Sequence, residues 1–208
     1  MHPARSIVLF TSASGAGYGL LALLGLLGPT GLLPQERGFG AAGLALALAL
    51  VVLGLVSSTF HLGHPERAWR ALSQWRSSWL SREGVAALLT FLPAGLFALG
   101  WVFNGEMGGG WALAGWTASL GAVVTVACTG MIYASLKPIP RWRHPLVLPL
   151  YLAFAALSGL LLLNALLAGS QRGIALATLI ALALVWIVKL AYWRAIERAA
   201  PAATPESA

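Results

Sequence analysis

The histidines and carboxylates of this 208-residue chain are so few that their positions carry information: four His and six acidic residues. His61 and Glu83 stand at the two ends of a polar segment, Thr59 to Gly84, that separates long apolar runs. An imidazole titrates near neutrality, with an unperturbed pKa of about 6.5, and a nearby carboxylate can take the proton onward. Two such groups at one face of a membrane are suited to exchanging protons with a quinol headgroup, which must shed its hydroxyl protons as it loses electrons. They are equally suited to a bland role, the His capping a helix C-terminus and the Glu complementing an N-terminus. The residues alone leave both readings open.

The same segment holds a second kind of signal. Pro65, with Glu66 behind it, fits the first turn of a helix. Ala68, Trp69, Leu72, Trp75 and Trp79 recur near helical spacing, while Arg67, Arg70, Gln74 and Arg76 are polar. This pattern predicts a short amphipathic helix lying in the membrane interface, with Ser81 as N-cap of the span that follows. Its arginines either meet lipid phosphates or form, with the tryptophans, a docking pad for a partner protein, because Arg and Trp dominate binding hot spots. A later segment, Thr129 to Pro149, places Tyr133 a turn from Lys137, and Arg141, Trp142, Arg143 and His144 after two prolines. Its cations suit orientation and surface contact more than chemistry. The predicted docking set is Arg70, Trp75, Arg76, Trp79, Arg82, Lys137 and Arg141.

The elements that must position these segments follow from composition. The chain is 59% hydrophobic and 9% charged, whereas a soluble domain carries roughly a quarter charged residues. A water-soluble globule is excluded, and so is disorder, which needs low hydrophobicity and high charge. Uncharged runs long enough to cross a bilayer predict an all-α polytopic transmembrane helical bundle of six spans, at about 6–27, 38–60, 84–103, 111–136, 145–169 and 173–194. They form a single integral membrane domain over 1–198, with a short polar tail at 199–208. Barrel strands would alternate apolar and polar residues, and these runs do not. The first run is long and lacks a small-x-small cleavage site, so it reads as a span rather than a cleaved leader. The sixth is extended by Lys189, Tyr192, Trp193 and Arg194, whose polar heads can snorkel to the interface. Gly15-Ala16-Gly17-Tyr18-Gly19 reads as a helix-packing face, since no strand precedes it as a phosphate loop would require. Pro93 and Pro149 are expected to kink their spans.

Charge then orients the bundle. With six spans, one side carries Arg5, Arg67, Arg70, Arg76, Arg82, Lys137, Arg141, Arg143, Lys189, Arg194 and Arg198, and the other only Arg37 and Arg172. The positive-inside rule puts the first set, and both termini, in the cytoplasm. That rule also accounts for the net charge of +7 without nucleic acid. Several chemistries are excluded or weakened. A lone Cys128 rules out a disulfide framework or a thiolate cluster within the chain. No charged residue lies mid-span to serve transport, and there is neither a Walker sequence nor a His-Glu zinc motif, so no metal site is expected. A bis-His haem remains a rival. Its candidate ligands are His61, His64 and His144, all near one face, so a two-haem relay through the membrane is excluded.

The ordered string His61-Leu62-Gly63-His64-Pro65-Glu66-Arg67-Ala68-Trp69-Arg70-Ala71-Leu72, followed by Ser78-Trp79-Leu80-Ser81-Arg82-Glu83, resembles the signature of the dimethyl sulfoxide reductase membrane-anchor family. Met131-Ile132-Tyr133-Ala134-Ser135-Leu136-Lys137-Pro138, with Ile139-Pro140-Arg141-Trp142, is similar to a second family segment. The resemblance implies a haem-free, quinone-reactive anchor in the bacterial inner membrane, serving anaerobic respiration. It implies menaquinone or ubiquinone as the redox partner. It also implies two docked subunits, one with four iron–sulfur clusters and one with molybdopterin, the latter performing the substrate chemistry. On this resemblance His61 and Glu83 are the catalytic pair, and Gly63, Arg67 and Tyr133 join them in binding quinone. The family usually carries a further pair of spans. A b-haem cytochrome subunit and a purely structural tether are the alternatives.

Overall fold

Continuous apolar sequence in lipid leaves backbone amides no partner but one another, and helices result. The computed structural model describes residues 3–59, 65–139 and 141–198, with the backbone alone at 3, 4, 65–68 and 71. Its long helices are α1 (Pro3–Leu27), α2 (Arg37–Thr59), α3 (Trp79–Ala98), α4 (Gly109–Ala134), α5 (Val147–Leu166) and α6 (Arg172–Arg198). A π-helical turn, Leu99–Asn104, prolongs α3. All six are long and apolar enough to cross a membrane, and no strand occurs among the described residues. The chain is a multi-pass, all-α membrane protein.

Alternate helices run in opposite directions, and three hydrogen bonds between segments show which ends meet. Ser57 Oγ, late in α2, donates to the Ser6 carbonyl oxygen in α1 at 3.0 Å. Tyr192 Oη, late in α6, donates to the Arg141 carbonyl oxygen in the α4–α5 connection at 2.6 Å. At the opposite end, Arg37 Nη2 donates to the Asn104 carbonyl oxygen at 3.0 Å. The first end therefore gathers the two polar connections and most of the cations.

α1 is the central helix, packed on α2, α4 and α5, whereas α6 leans on α5 alone among its main contacts. The glycines of α1 make this possible. A Cβ at Gly17 would stand 2.6 Å from the Ala47 carbonyl oxygen of α2. Gly19 meets Gly159 of α5 at a similarly close approach, the small-residue device by which membrane helices gain van der Waals contact. Leu20, Leu21, Leu24, Val51, Phe97 and Trp101 are fully buried between helices. Leu88 and Leu92 of α3, Phe103 of the π-helical turn, Leu113 and Leu120 of α4, and Leu176, Leu179 and Ile187 of α6 are all exposed. Such an apolar girdle suits lipid and no aqueous surface.

Three local expectations are corrected. α3 begins at Trp79, with Ser78 at the N-cap position, so Ser81 lies inside the helix and is buried. The cause is Arg82, which donates from Nε to the Trp75 carbonyl oxygen at 3.0 Å and from Nη2 to that of Arg76 at 2.7 Å. These bonds tie the preceding turn against the helix. Pro149 does not kink α5, because it falls in the first turn, where its missing N–H has no intrahelical acceptor to lose. The segment Pro65–Gln74 is a 3₁₀ helix rather than an α-helix. Trp69 and Leu72 are three residues apart, which three residues per turn align along one edge. Leu72 lies over Gly84 of α3, where a Cβ would come within 2.8 Å of Leu72 Cδ2.

Candidate functional site

Glu83 is the fifth residue of α3 and is 5% exposed. A carboxylate so placed needs a partner, since an uncompensated buried charge is costly. Thr129 of α4 supplies it, with Oγ1 donating to Glu83 Oε1 at 2.7 Å. The same hydroxyl is 3.1 Å from the Thr125 carbonyl oxygen. This arrangement serves both protonation states of the acid. To a carboxylate, Thr129 donates; from a protonated Glu83 it can accept, turning its own hydrogen toward Thr125. The carboxyl group can thus gain or lose a proton without stranding a buried polar atom.

The hydroxyl seam continues inward. Thr125 Oγ1 and Thr90 Oγ1 face each other at 3.5 Å across α4 and α3. Each also donates to a carbonyl oxygen of its own helix, Gly121 at 2.8 Å and Ala86 at 2.7 Å. Gly121 makes room for this contact, since a Cβ there would stand 2.5 Å from Thr90 Oγ1.

Thr129 also forms part of the wall of a groove of about 460 Å³ at the basic end of the bundle. The wall is built by Thr11 and Ser14 of α1, Thr129 and Tyr133 of α4, Tyr151, Phe154 and Ser158 of α5, and Lys189 and Tyr192 of α6, with Trp142 from the connection. Along α5 the lining runs from Val147 to Ser158, about 16 Å at ~1.5 Å per residue. The volume lies within the range of sites for drug-sized molecules, roughly 300–1,000 Å³. Its rings are ordered: Tyr133 stacks on Tyr151 with centroids 5.5 Å apart and planes at 17°. Trp142 meets Tyr133 edge-on at 5.2 Å. His144 meets Tyr192 edge-on at 5.4 Å, and its Nδ1 accepts the Leu146 backbone N–H at 3.2 Å.

The expected residues divide accordingly. Glu83 and Tyr133 converge, because Thr129 and Tyr133 are one turn apart on α4 and both line the groove. His61 and Gly63 lie outside the described residues, and of Arg67 the structure describes the backbone within the 3₁₀ segment. Trp69 and Trp75 are 67% and 52% exposed. Arg70 lies over the Trp69 ring at 5.5 Å and Arg76 over the Trp75 ring at 5.4 Å. Lys137 and Arg141 are exposed in the α4–α5 connection. Arg82 and Trp79 differ from these, since Arg82 stacks on Trp79 at 4.2 Å while holding the two carbonyls, and so secures the segment. Sequence reasoning missed Thr129, Tyr151 and Lys189 as site residues. The spacing Thr125-Thr129-Tyr133 marks one helix face and was readable; nothing in the sequence brings Tyr151 or Lys189 to it.

A sequence model of the DMSO reductase anchor subunit family (DmsC) matches residues 1–200. The chain belongs to this family. The anchor is also 40% identical over 178 residues to a curated sulfite dehydrogenase subunit from Allochromatium vinosum, a match covering 78% of this chain and 54% of that protein. The anchor therefore spans about half the length of the curated relative it matches. No solved structure matches it.

Proposed function

We propose that this anchor is the quinone-reactive membrane subunit of a molybdopterin oxidoreductase complex, exchanging electrons between the quinone pool and a docked iron–sulfur subunit. The observation that carries the reading is the groove whose wall includes Thr129, the hydrogen-bond partner of buried Glu83. A flat aromatic headgroup fits beside the stacked pair Tyr133 and Tyr151, and Leu150 and Phe154 give the groove an apolar wall for an isoprenoid tail. Glu83 serves as the proton-exchanging group, reversible because Thr129 can donate to it or accept from it. His61 is proposed as its partner in that exchange, with Gly63 and Arg67 beside it.

The iron–sulfur subunit, with four clusters, is proposed to dock at the basic end, on Arg70, Trp75, Arg76, Lys137 and Arg141. Beyond it lies the molybdopterin subunit that transforms the substrate. The name of the relative from Allochromatium vinosum favours sulfite as that substrate. The charge split supports placing this end in the cytoplasm of a bacterial inner membrane. The anchor itself is proposed to carry no haem, so a reduced-minus-oxidised spectrum of the complex should lack a b-type band. A band stoichiometric with the anchor would turn the reading toward a cytochrome subunit.

The deciding experiment is Glu83→Gln in the assembled complex. Loss of a positioned acid–base group lowers turnover by about 10²–10⁴-fold. Quinone-coupled turnover should fall by that order while turnover with an artificial dye, which bypasses the membrane, stays normal. Normal quinone-coupled turnover would overturn the assignment.

A further inference from the structure

Lys189 lies half-buried on α6 among aromatic rings. Its Nζ is 5.3 Å from the Trp193 ring centroid, 5.5 Å from Tyr192 and 5.7 Å from Phe154. Phe154 is seven residues into α5 from Val147, about 10 Å below that helix start at ~1.5 Å per residue. Three rings stabilise a cation through their faces, yet they accept no conventional hydrogen bond. Among the described residues no carboxylate is paired with Lys189. A lysine near a span end, held by rings and facing a groove without a counter-ion, marks a place where an acceptor can come from a ligand. Lys189 also lines the groove, with Tyr192 beside it. Thr129, with Glu83 behind it, lines the same groove from α4. α4 and α6 both pack on α5, so the two groups reach the groove from different helices.

We propose that Lys189 is the hydrogen-bond donor that holds one carbonyl oxygen of a quinone ring in this groove, the other oxygen being directed toward Thr129 and Glu83. The assignment rests on the quinone-reactive reading above and deepens it by giving the ring a fixed orientation. A quinone presents oxygens at opposite edges of a flat ring, and the groove wall offers a cationic donor from α6 and, through Thr129 of α4, a link to the Glu83 carboxyl group. Recognition of both edges explains why a cation sits beside a site whose ligand is neutral. It also gives Tyr192 a positioning role, since its hydroxyl is anchored on the Arg141 carbonyl oxygen while its ring supports the ammonium.

The test uses the assembled complex in membranes, with decylubiquinone and menadione as probes. Lys189→Met keeps length and apolar bulk but removes the donor. It should raise KM for both quinones by about 10- to 100-fold, the range for one hydrogen bond to a charged group. kcat at saturation should change less, and dye turnover should stay normal. Lys189→Arg, which keeps charge and ring stacking, should restore KM substantially. Ser158→Trp and, independently, Thr11→Trp fill the groove and separate the two levels of the proposal. If both leave quinone turnover intact in assembled complex, the groove is not the quinone site and the reading beneath this one fails. If they abolish it while Lys189→Met has a normal KM, the groove stands and the role of Lys189 is overturned, leaving it a lysine held at the interface by its rings.

Discussion

Thr129 Oγ1 stands 2.7 Å from Glu83 Oε1, joining α4 to α3 across 46 residues of sequence. Thr129 thereby satisfies a buried acid with its hydroxyl and also forms part of the groove wall. In the proposed relay a proton from the groove would pass to Thr129 Oγ1 as the hydroxyl's own proton passes to Glu83. Thr129→Val removes the hydroxyl at nearly constant shape. It should lower quinone-coupled turnover at least tenfold and leave dye turnover normal. It should also lower the stability of the anchor by about 1–3 kcal/mol, the cost of an unsatisfied buried polar group. Thr129→Ser should retain most of both. Steady-state rates and thermal unfolding in detergent check the pair, and an impaired Ser variant beside a normal Val variant would show that the methyl group matters rather than the hydroxyl.

The arginines of the polar segment before α3 and the anchored Arg82 should behave differently. Replacing Arg67, Arg70 and Arg76 together by Glu should release the iron–sulfur subunit from membranes, measured by its appearance in the soluble fraction. Arg82→Ala frees the Trp75 and Arg76 carbonyl oxygens and removes the stack on Trp79. It should speed proteolysis within 65–78 without reversing any surface charge. A complex that stays intact and salt-resistant in the triple variant would assign those arginines to lipid. A reporter fused after Ala208 should be active only as a cytoplasmic fusion, and activity in the periplasm would move the docking side with it.

The glycines of α1 predict a graded series. A side chain at Gly19 would strike the backbone of Ala155 in α5, whereas one at Gly15 meets nothing within 4 Å. Gly19→Leu should therefore destabilise the anchor by about 1–3 kcal/mol or more, as overpacking does, or prevent its accumulation in membranes. Gly15→Ala should be neutral. Thermal denaturation of detergent-solubilised protein, with membrane abundance as a second readout, distinguishes them. Equal effects would mean that α1 does not pack on α5 as described.

Much of the architecture was legible because membrane constraints act on short stretches of chain. A run such as Gly43 to Val56 must be helical wherever it packs, since lipid offers its amides no alternative partner. The cation split between loops follows from counting. Local boundaries were harder, because they depend on side-chain bonds to backbone. Ser81 reads as a cap in sequence, yet the bonds from Arg82 to Trp75 and Arg76 let the helix begin earlier.

The site divides in the same way. Glu83 and Tyr133 stand out in sequence because a carboxylate and a phenol at the ends of apolar runs are rare and chemically able. That Glu83 is buried against Thr129, that Tyr133 stacks on Tyr151, and that Lys189 lines the same groove were decided by tertiary structure alone. The reason is distance along the chain. Glu83 and Thr129, or Tyr133 and Lys189, are joined by no periodicity. Their proximity comes from small residues, Gly19 against Gly159 and Gly121 beneath Thr90, that let helices approach closely enough for short polar side chains to meet. Sequence determined the helices, their number and the end of the bundle where chemistry is possible; close helix packing decided which side chains share a groove there.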